Sequence, residues 1–197
     1  MLTQTTTQLL DSLRDSANAE SWQLFDLRYR PVLLAFARQR GLSDEDAADV
    51  AQTTLVSFVA DYQKGRYDRT RGRLSSWIIG IASHRIADLQ RAAYRRRISR
   101  GESAIEHEPA PADEAAVWDA AVRKVILQRA MTELHSQSRF DPRTLRAFEL
   151  CAVRGVPADA AAAECDMTVA EVYVAKNRVI GKLREIVASL TSEFVEL

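Results

Sequence analysis

The chain has 197 residues, nearly half of them apolar, with 27 basic and 27 acidic residues that cancel. That length and apolar content suit one large domain or two small ones and exclude a disordered or fibrous chain. No apolar run approaches the roughly 20 residues that span a bilayer, and the N-terminus MLTQTTTQLLDSLRDS lacks the basic start and apolar block of a signal peptide. The chain is therefore expected to be cytoplasmic.

Glycine (seven) and proline (five) are sparse, and no stretch alternates apolar and polar residues as a strand would. The expected fold is all-α. In chain order, the patterning predicts helices near 5–15, 19–39, 44–63 and 74–97. Ser43 and Asp46 are spaced as a capping box for the third of these. On the helix over 44–63, Ala47, Val50, Ala51, Thr54, Phe58 and Tyr62 form the side expected to be buried. Glu45, Asp49, Gln52 and Val56 lie opposite, with Ala48 among them and Thr53 at their edge. That acidic face suits a basic protein partner, and equally a plain solvated surface.

The loop KGRYDRTRGRLS leads into the helix over 74–97, whose expected core side is Leu74, Ile78, Ile81, Ala82, Ile86, Leu89 and Ala93. Trp77, His84, Asp88, Arg91 and Arg95 make a stripe on another side. From Arg66 to Arg100 there are ten arginines against Asp68 and Asp88 alone. Phosphate is the natural counterpart of such a segment, and a ring set among arginines suits a strand with unstacked bases. The plain alternative is a wet charged face with Trp77 tucked into the domain.

Residues 101–116, GESAIEHEPAPADEAA, hold five acids and no base. This composition predicts an extended acidic linker, placed at 99–116, between a first domain at 1–98 and a second at 117–197. In the second domain, helices are predicted near 114–135, 142–153, 157–164 and 169–188. Asp141 and Pro142 serve as N-cap and first turn, Gly155 and Pro157 as a break, and Thr168 with Glu171 as the cap of the last helix. A short helix, a three-residue turn and a longer helix have the proportions of a helix-turn-helix, or of an ordinary helical hairpin.

Candidate enzymatic chemistry is sparse. Cys151 and Cys165 are neither a CxxC pair nor beside paired histidines, so buried free thiols are expected and no metal or other cofactor. No Ser/His/Asp set, Gly-rich phosphate loop or paired-carboxylate site stands out. A non-enzyme without a small-molecule substrate is expected.

Two segments carry a resemblance. DAADVAQTTLVSFV resembles the DAEDLVQETFLRAW-type segment of sigma-70 family sigma factors, in their extracytoplasmic function (ECF) group. WIIGIASHRIADLQRAAYRRR resembles the segment that follows it in that group, of the form WLYRIARNRALDHLRRRRR. The second domain resembles the group's C-terminal helix-turn-helix, so the likeness runs from about Leu9 to Leu190.

The resemblance implies a non-catalytic protein that joins core RNA polymerase and directs it to promoter DNA. Core polymerase would meet Glu45, Asp46, Asp49, Gln52 and Thr53. The minus-ten element would meet Arg66, Tyr67, Trp77, His84, Asp88, Arg91, Arg95 and Arg96, with an extruded base held by the stretch from Lys64 to Ser76. The minus-thirty-five element would meet Glu171, Tyr173, Val174, Asn177 and Arg178, with Lys182 on the backbone. The acidic linker would run toward the RNA exit path of polymerase.

Departures from the pattern bear on regulation. Ala48 and Thr53 stand where the family form has glutamates, His84 where it usually has asparagine, and Val174 where a polar residue is common. A phosphothreonine carries about −1.5 to −2 charges, so phosphorylation of Thr53 by a Ser/Thr kinase would restore the missing charge; simple drift at that position is the alternative. The rival functional readings are a stand-alone helix-turn-helix regulator binding duplex DNA without polymerase, and a nucleic-acid-processing enzyme.

Overall fold

The computed structural model describes residues 6–15, 18–99, 113–137 and 139–194. Among these residues every regular element is helical: α1 (Thr6–Ser12), α2 (Ala19–Gln39), α3 (Asp44–Gln63), α4 (Leu74–Ser99), α5 (Glu114–Gln137), α6 (Pro142–Phe148), α7 (Ala158–Cys165) and α8 (Val169–Ser192). A short 3-10 turn spans Arg69–Arg71 and a π-helical turn spans Glu149–Val153. The stretch at 100–112, which makes up most of the expected acidic linker, lies outside the described residues, and α5 opens at Glu114, where a helix near 114–135 is predicted.

Local chemistry sets the helix starts. The Asn18 side chain accepts from the Ser21 amide at 3.1 Å, and Ser43 accepts from the Asp46 amide at 3.1 Å while donating to the Asp46 carboxylate at 2.9 Å. Asp44, Glu45 and Asp46 all fall in the first turn of α3, where the helix dipole favours negative charge. Asp141 accepts from the Arg143 amide at 2.8 Å, and Thr168 and Glu171 close a full capping box. At the far end of α3, Gly65 takes φ +69°, the left-handed conformation that lets its amide and that of Arg66 return to the carbonyls of Tyr62 and Asp61.

The chain divides into two compact units, with the boundary inside α5 between Val125 and Ile126. The first holds α1 to α4 and the first half of α5. Its core is aromatic and aliphatic: Phe25 stacks on Phe58 with centroids 4.7 Å apart, and Val32, Phe36, Val50, Leu74 and Ile78 are buried around them. Burying a side chain of the size of Phe58 contributes roughly 1.5–3 kcal/mol. Trp118 of α5 completes this core edge-on to Phe36 at 5.8 Å.

The second unit runs from Ile126 to Glu193. Its cluster under α8 is built of small side chains, Ala147, Ala161, Ala162, Cys165, Val172 and Ala175 with Leu150, which lets α6, α7 and α8 approach closely. α7 ends at Asp166, whose φ of 53° and ψ of 51° put a non-glycine residue in the left-handed region, and the Met167 amide returns to the Ala162 carbonyl at 2.9 Å. Arg146 fastens α6 to α7 through Glu164 at 2.6 Å.

The buried faces differ from expectation at a few positions. Ala93 is exposed, because α4 continues beyond the part that packs on α3. Tyr62, Ile81 and Leu89 are only half-buried, while Leu55 and Ile79 join the core. The predicted helix over 142–153 runs its full length, but its last turn is π-helical, the Arg154 amide bonding five residues back to the Glu149 carbonyl at 3.0 Å.

Candidate nucleic-acid interface

The loop after α3 is held by its own side chains. Arg66 pairs with Asp61 at 2.7 Å, and Asp68 accepts from the Thr70 amide at 2.9 Å and from its hydroxyl at 2.7 Å. The Thr70 hydroxyl, then its amide, hold the Asp68 carboxyl below the usual range. The loop presents Tyr67 to Trp77 of α4, ring centroids 4.9 Å apart and planes 30° from parallel, while Trp77 meets Phe58 edge-on at 6.1 Å. Trp77 is half-buried, so part of the ring packs into the unit and part meets solvent.

A groove of about 490 Å³ runs between α3 and α4, lined by Ser57, Asp61, Trp77, His84, Arg85 and Asp88 among others. Asp88 bonds Arg91 at 2.7 Å and lies 3.3 Å from His84 Nδ1. The Arg91 hydrogen bond, more than the charges around it, holds the Asp88 carboxyl low. His84, Asp88, Arg91, Arg95 and Arg96 are all exposed. The predicted stripe is thus a solvent-facing row with an internal counter-charge. Arg85 was not singled out from the sequence, yet it lines the groove; at 100° per residue it stands about 80° from Trp77, at the edge of the stripe.

On α3, Glu45, Asp46, Ala48, Asp49 and Gln52 are exposed and Thr53 is half-buried. Asp46 is engaged with Ser43, and the Gln52 side-chain carbonyl accepts from Arg30 at 2.7 Å. The Thr53 hydroxyl donates to the Asp49 carbonyl at 2.8 Å. Beside this face, Trp22, Leu55, Val56 and Val59 line a mostly apolar groove between α2 and α3.

In the second unit, Glu171, Tyr173, Val174, Asn177, Arg178 and Lys182 are all exposed on α8, opposite the buried Val172, Ala175 and Val179. Glu171 is committed to the cap: its carboxylate accepts from the Thr168 amide at 2.7 Å and hydroxyl at 2.8 Å, and these bonds, the amide's first, keep it below the usual glutamate range. Lys182 pairs with Glu185 at 3.0 Å.

Among the described residues no three His, Cys, Asp or Glu side chains gather as a metal site, and no helix is long and apolar enough to cross a membrane. Both cysteines are free thiols.

Residues 26–97, which take in most of α2, all of α3 and nearly all of α4, match the family model described as sigma-70 region 2. The match supports a sigma-70 family RNA polymerase sigma factor, a non-catalytic factor of transcription initiation whose partners are core RNA polymerase and promoter DNA. No curated protein matches the chain.

Proposed function

We infer that the chain is an alternative sigma factor of the ECF group. The observation that carries this reading is the coincidence of the matched segment with one unit that has an acidic helix face on α3 and an aromatic and arginine face on α4. Opposite charges on two helices of one unit allow it to meet a basic protein and a polyanion at once without self-competition.

In this reading core polymerase docks on α3 through Glu45, Asp46, Asp49 and Gln52. The loop over 64–73 and α4 take the minus-ten element, arginines holding phosphates while Trp77 and Tyr67 offer ring surface to unstacked bases. The segment from α7 through the turn at Asp166 to α8 acts as a helix-turn-helix. It presents Tyr173, Val174, Asn177 and Arg178 to the minus-thirty-five major groove, with Lys182 on the backbone and Glu171 fixing the helix start. The acidic stretch between α4 and α5 links a first domain at 1–98 to a second at 117–197, with the opening turns of α5 completing the core of the first.

Thr53 is the regulatory position. With Ala48 and Thr53 in place of two carboxylates, docking on polymerase is weak until a Ser/Thr kinase modifies Thr53 and supplies the missing charge. The experiment is the affinity of the full chain for core RNA polymerase, unmodified and phosphorylated at Thr53. Binding only after phosphorylation supports both the sigma role and the switch. Equal binding keeps the sigma role and discards the switch. No binding in either form, with tight binding to duplex DNA, replaces it with a stand-alone regulator.

A further inference from the structure

The first two turns of α8 keep an apolar stripe in water. At about 100° per residue, Ala170, Tyr173, Val174 and Asn177 fall within about 100° of one another, opposite the buried Val172, Ala175 and Val179. All four are exposed, Tyr173 at 53% and Val174 at 57%, and Val169 beside them is exposed as well. The cluster under α8 is built from the opposite side of the helix, so the second unit does not use these side chains to hold its fold. Single exposed apolar residues are ordinary, whereas a contiguous group of them marks an interaction surface.

The charges around the stripe suit a polyanion. Both acidic residues of α8 are engaged: Glu185 pairs with Lys182 at 3.0 Å, and Glu171 accepts through Oε2 from the Thr168 amide at 2.7 Å and hydroxyl at 2.8 Å. The Glu171 carboxylate is thereby turned back toward the start of its own helix. Arg178 beside the stripe and Arg184 further along it are exposed and make no hydrogen bond or ion pair among the described residues. Unpaired cations next to an apolar stripe fit a duplex, whose phosphates take the guanidinium groups while base edges meet the stripe.

Base edges in the major groove differ in what they offer such a stripe. The thymine 5-methyl is the apolar group presented there, an asparagine amide pairs with adenine N6 and N7, and a carboxylate is needed to accept from the cytosine amine. With Glu171 turned back into the cap, the stripe keeps two apolar side chains and one amide as its readers. We propose that α8 selects its DNA element through thymine 5-methyl groups packed on Ala170 and Val174, with the Asn177 amide on an adjacent adenine. The element is then rich in T·A pairs, and the guanidinium of Arg178 holds a phosphate at its side. The proposal rests on the helix-turn-helix reading given above and adds which feature of the bases is read.

The test selects sequences with the full chain, alone and with core RNA polymerase in whichever Thr53 state docks, from duplexes randomised over about ten base pairs, one helical turn. Each thymine of the selected duplex is then replaced in turn by deoxyuridine, which removes the methyl group and nothing else. Enrichment of T·A pairs supports the proposal when deoxyuridine lowers affinity about fourfold at one or two positions and Val174→Ala no longer senses the methyl at one of them. Asn177→Ala should relax the preference at the neighbouring adenine. Deoxyuridine tolerated at every position, or selection of G·C pairs that Arg178→Ala abolishes, overturns the proposal and leaves the sigma reading intact. So does the absence of any selection by a chain that binds polymerase. A methyl-dependent selection by the chain alone, without polymerase binding in either Thr53 state, supports the proposal and counts against the sigma reading. Val174 and Asn177 are exposed, so unchanged helical circular dichroism in the variants separates lost readout from lost fold.

Discussion

The hydroxyl of Thr53 donates to the carbonyl of Asp49 at 2.8 Å, so the side chain that stands in place of a glutamate is bonded back into its own helix. A second carbonyl, that of Val50, lies 3.3 Å away. The side chain therefore offers a partner neither charge nor a free donor. A phosphate on Thr53, as proposed above, would replace this donor with acceptor oxygens and could not keep the internal bond.

Thr53→Ala should leave stability within about 0.5 kcal/mol, because the hydroxyl serves only a local bond, and chemical denaturation checks this. Thr53→Glu restores one carboxylate and should raise affinity for core polymerase by up to about fivefold at low salt, an advantage that fades as salt is added. An unchanged affinity for Thr53→Glu would mean that this edge of α3 does not face a basic partner.

Trp77 is expected to be structural as well as exposed. Trp77→Ala removes its contacts with Phe58 and Tyr67 and should cost about 2–3 kcal/mol in urea denaturation, with Trp77→Phe recovering most of the loss. Loss of DNA binding in Trp77→Ala is therefore interpretable only beside Trp77→Phe, which keeps a ring on Phe58 and presents less stacking surface outside.

Much of this arrangement is legible in the sequence where a single residue states its purpose. Ser43 with Asp46, Asp141 before Pro142, and Thr168 with Glu171 each mark a helix start through a hydrogen bond that the residue types alone imply, and the structure forms all of them. The angular reading of α4 assigned most side chains to the correct face and failed at Ala93, since periodicity gives the side of a helix and not where its partner ends. Glu149–Val153 carries no residue that announces a π-helical turn, so the turn could not be read locally. A cavity between α1 and the loop over 64–70 joins residues some fifty positions apart, a proximity that no local pattern encodes.

The cap of α8 has a testable pH signature. The Glu171 carboxylate is lower in pKa when folded because it accepts from Thr168, and such a group adds stability above its unfolded pKa and loses that contribution as pH falls through the folded value. The melting-temperature gap between the parent and Glu171→Ala should be full at neutral pH and close as pH drops below the ordinary glutamate value of about 4.3. Thr168→Ala, which removes the partner, should cost about 1 kcal/mol at neutral pH.

The two thiols should differ in rate of alkylation. Cys165 is 5% exposed and burial pushes its thiol up, whereas Cys151 is half-buried beside a small cavity that Lys176 also lines. Under native conditions iodoacetamide should label Cys151 first and Cys165 only on unfolding, read by mass spectrometry of the two peptides. Equal rates would indicate that the cluster under α8 opens readily.

Trp118 lies beyond the matched segment yet is 3% exposed in the core of the first unit, with Ala121 and Val125 buried on the same helix. Glu114, one turn earlier, reaches Arg40 at 3.6 Å. A fragment ending at residue 98 would keep every residue of the match and lose this cover, leaving the edge of Phe36 in water. The loss should lower stability by about 3 kcal/mol relative to a fragment ending at residue 125, measured by urea denaturation, with Trp118→Ala in the full chain giving a similar deficit. Equal stability of the two fragments would mean that the first half of α5 does not hold its place without the rest of the chain. The core on Phe36 would then be complete without it.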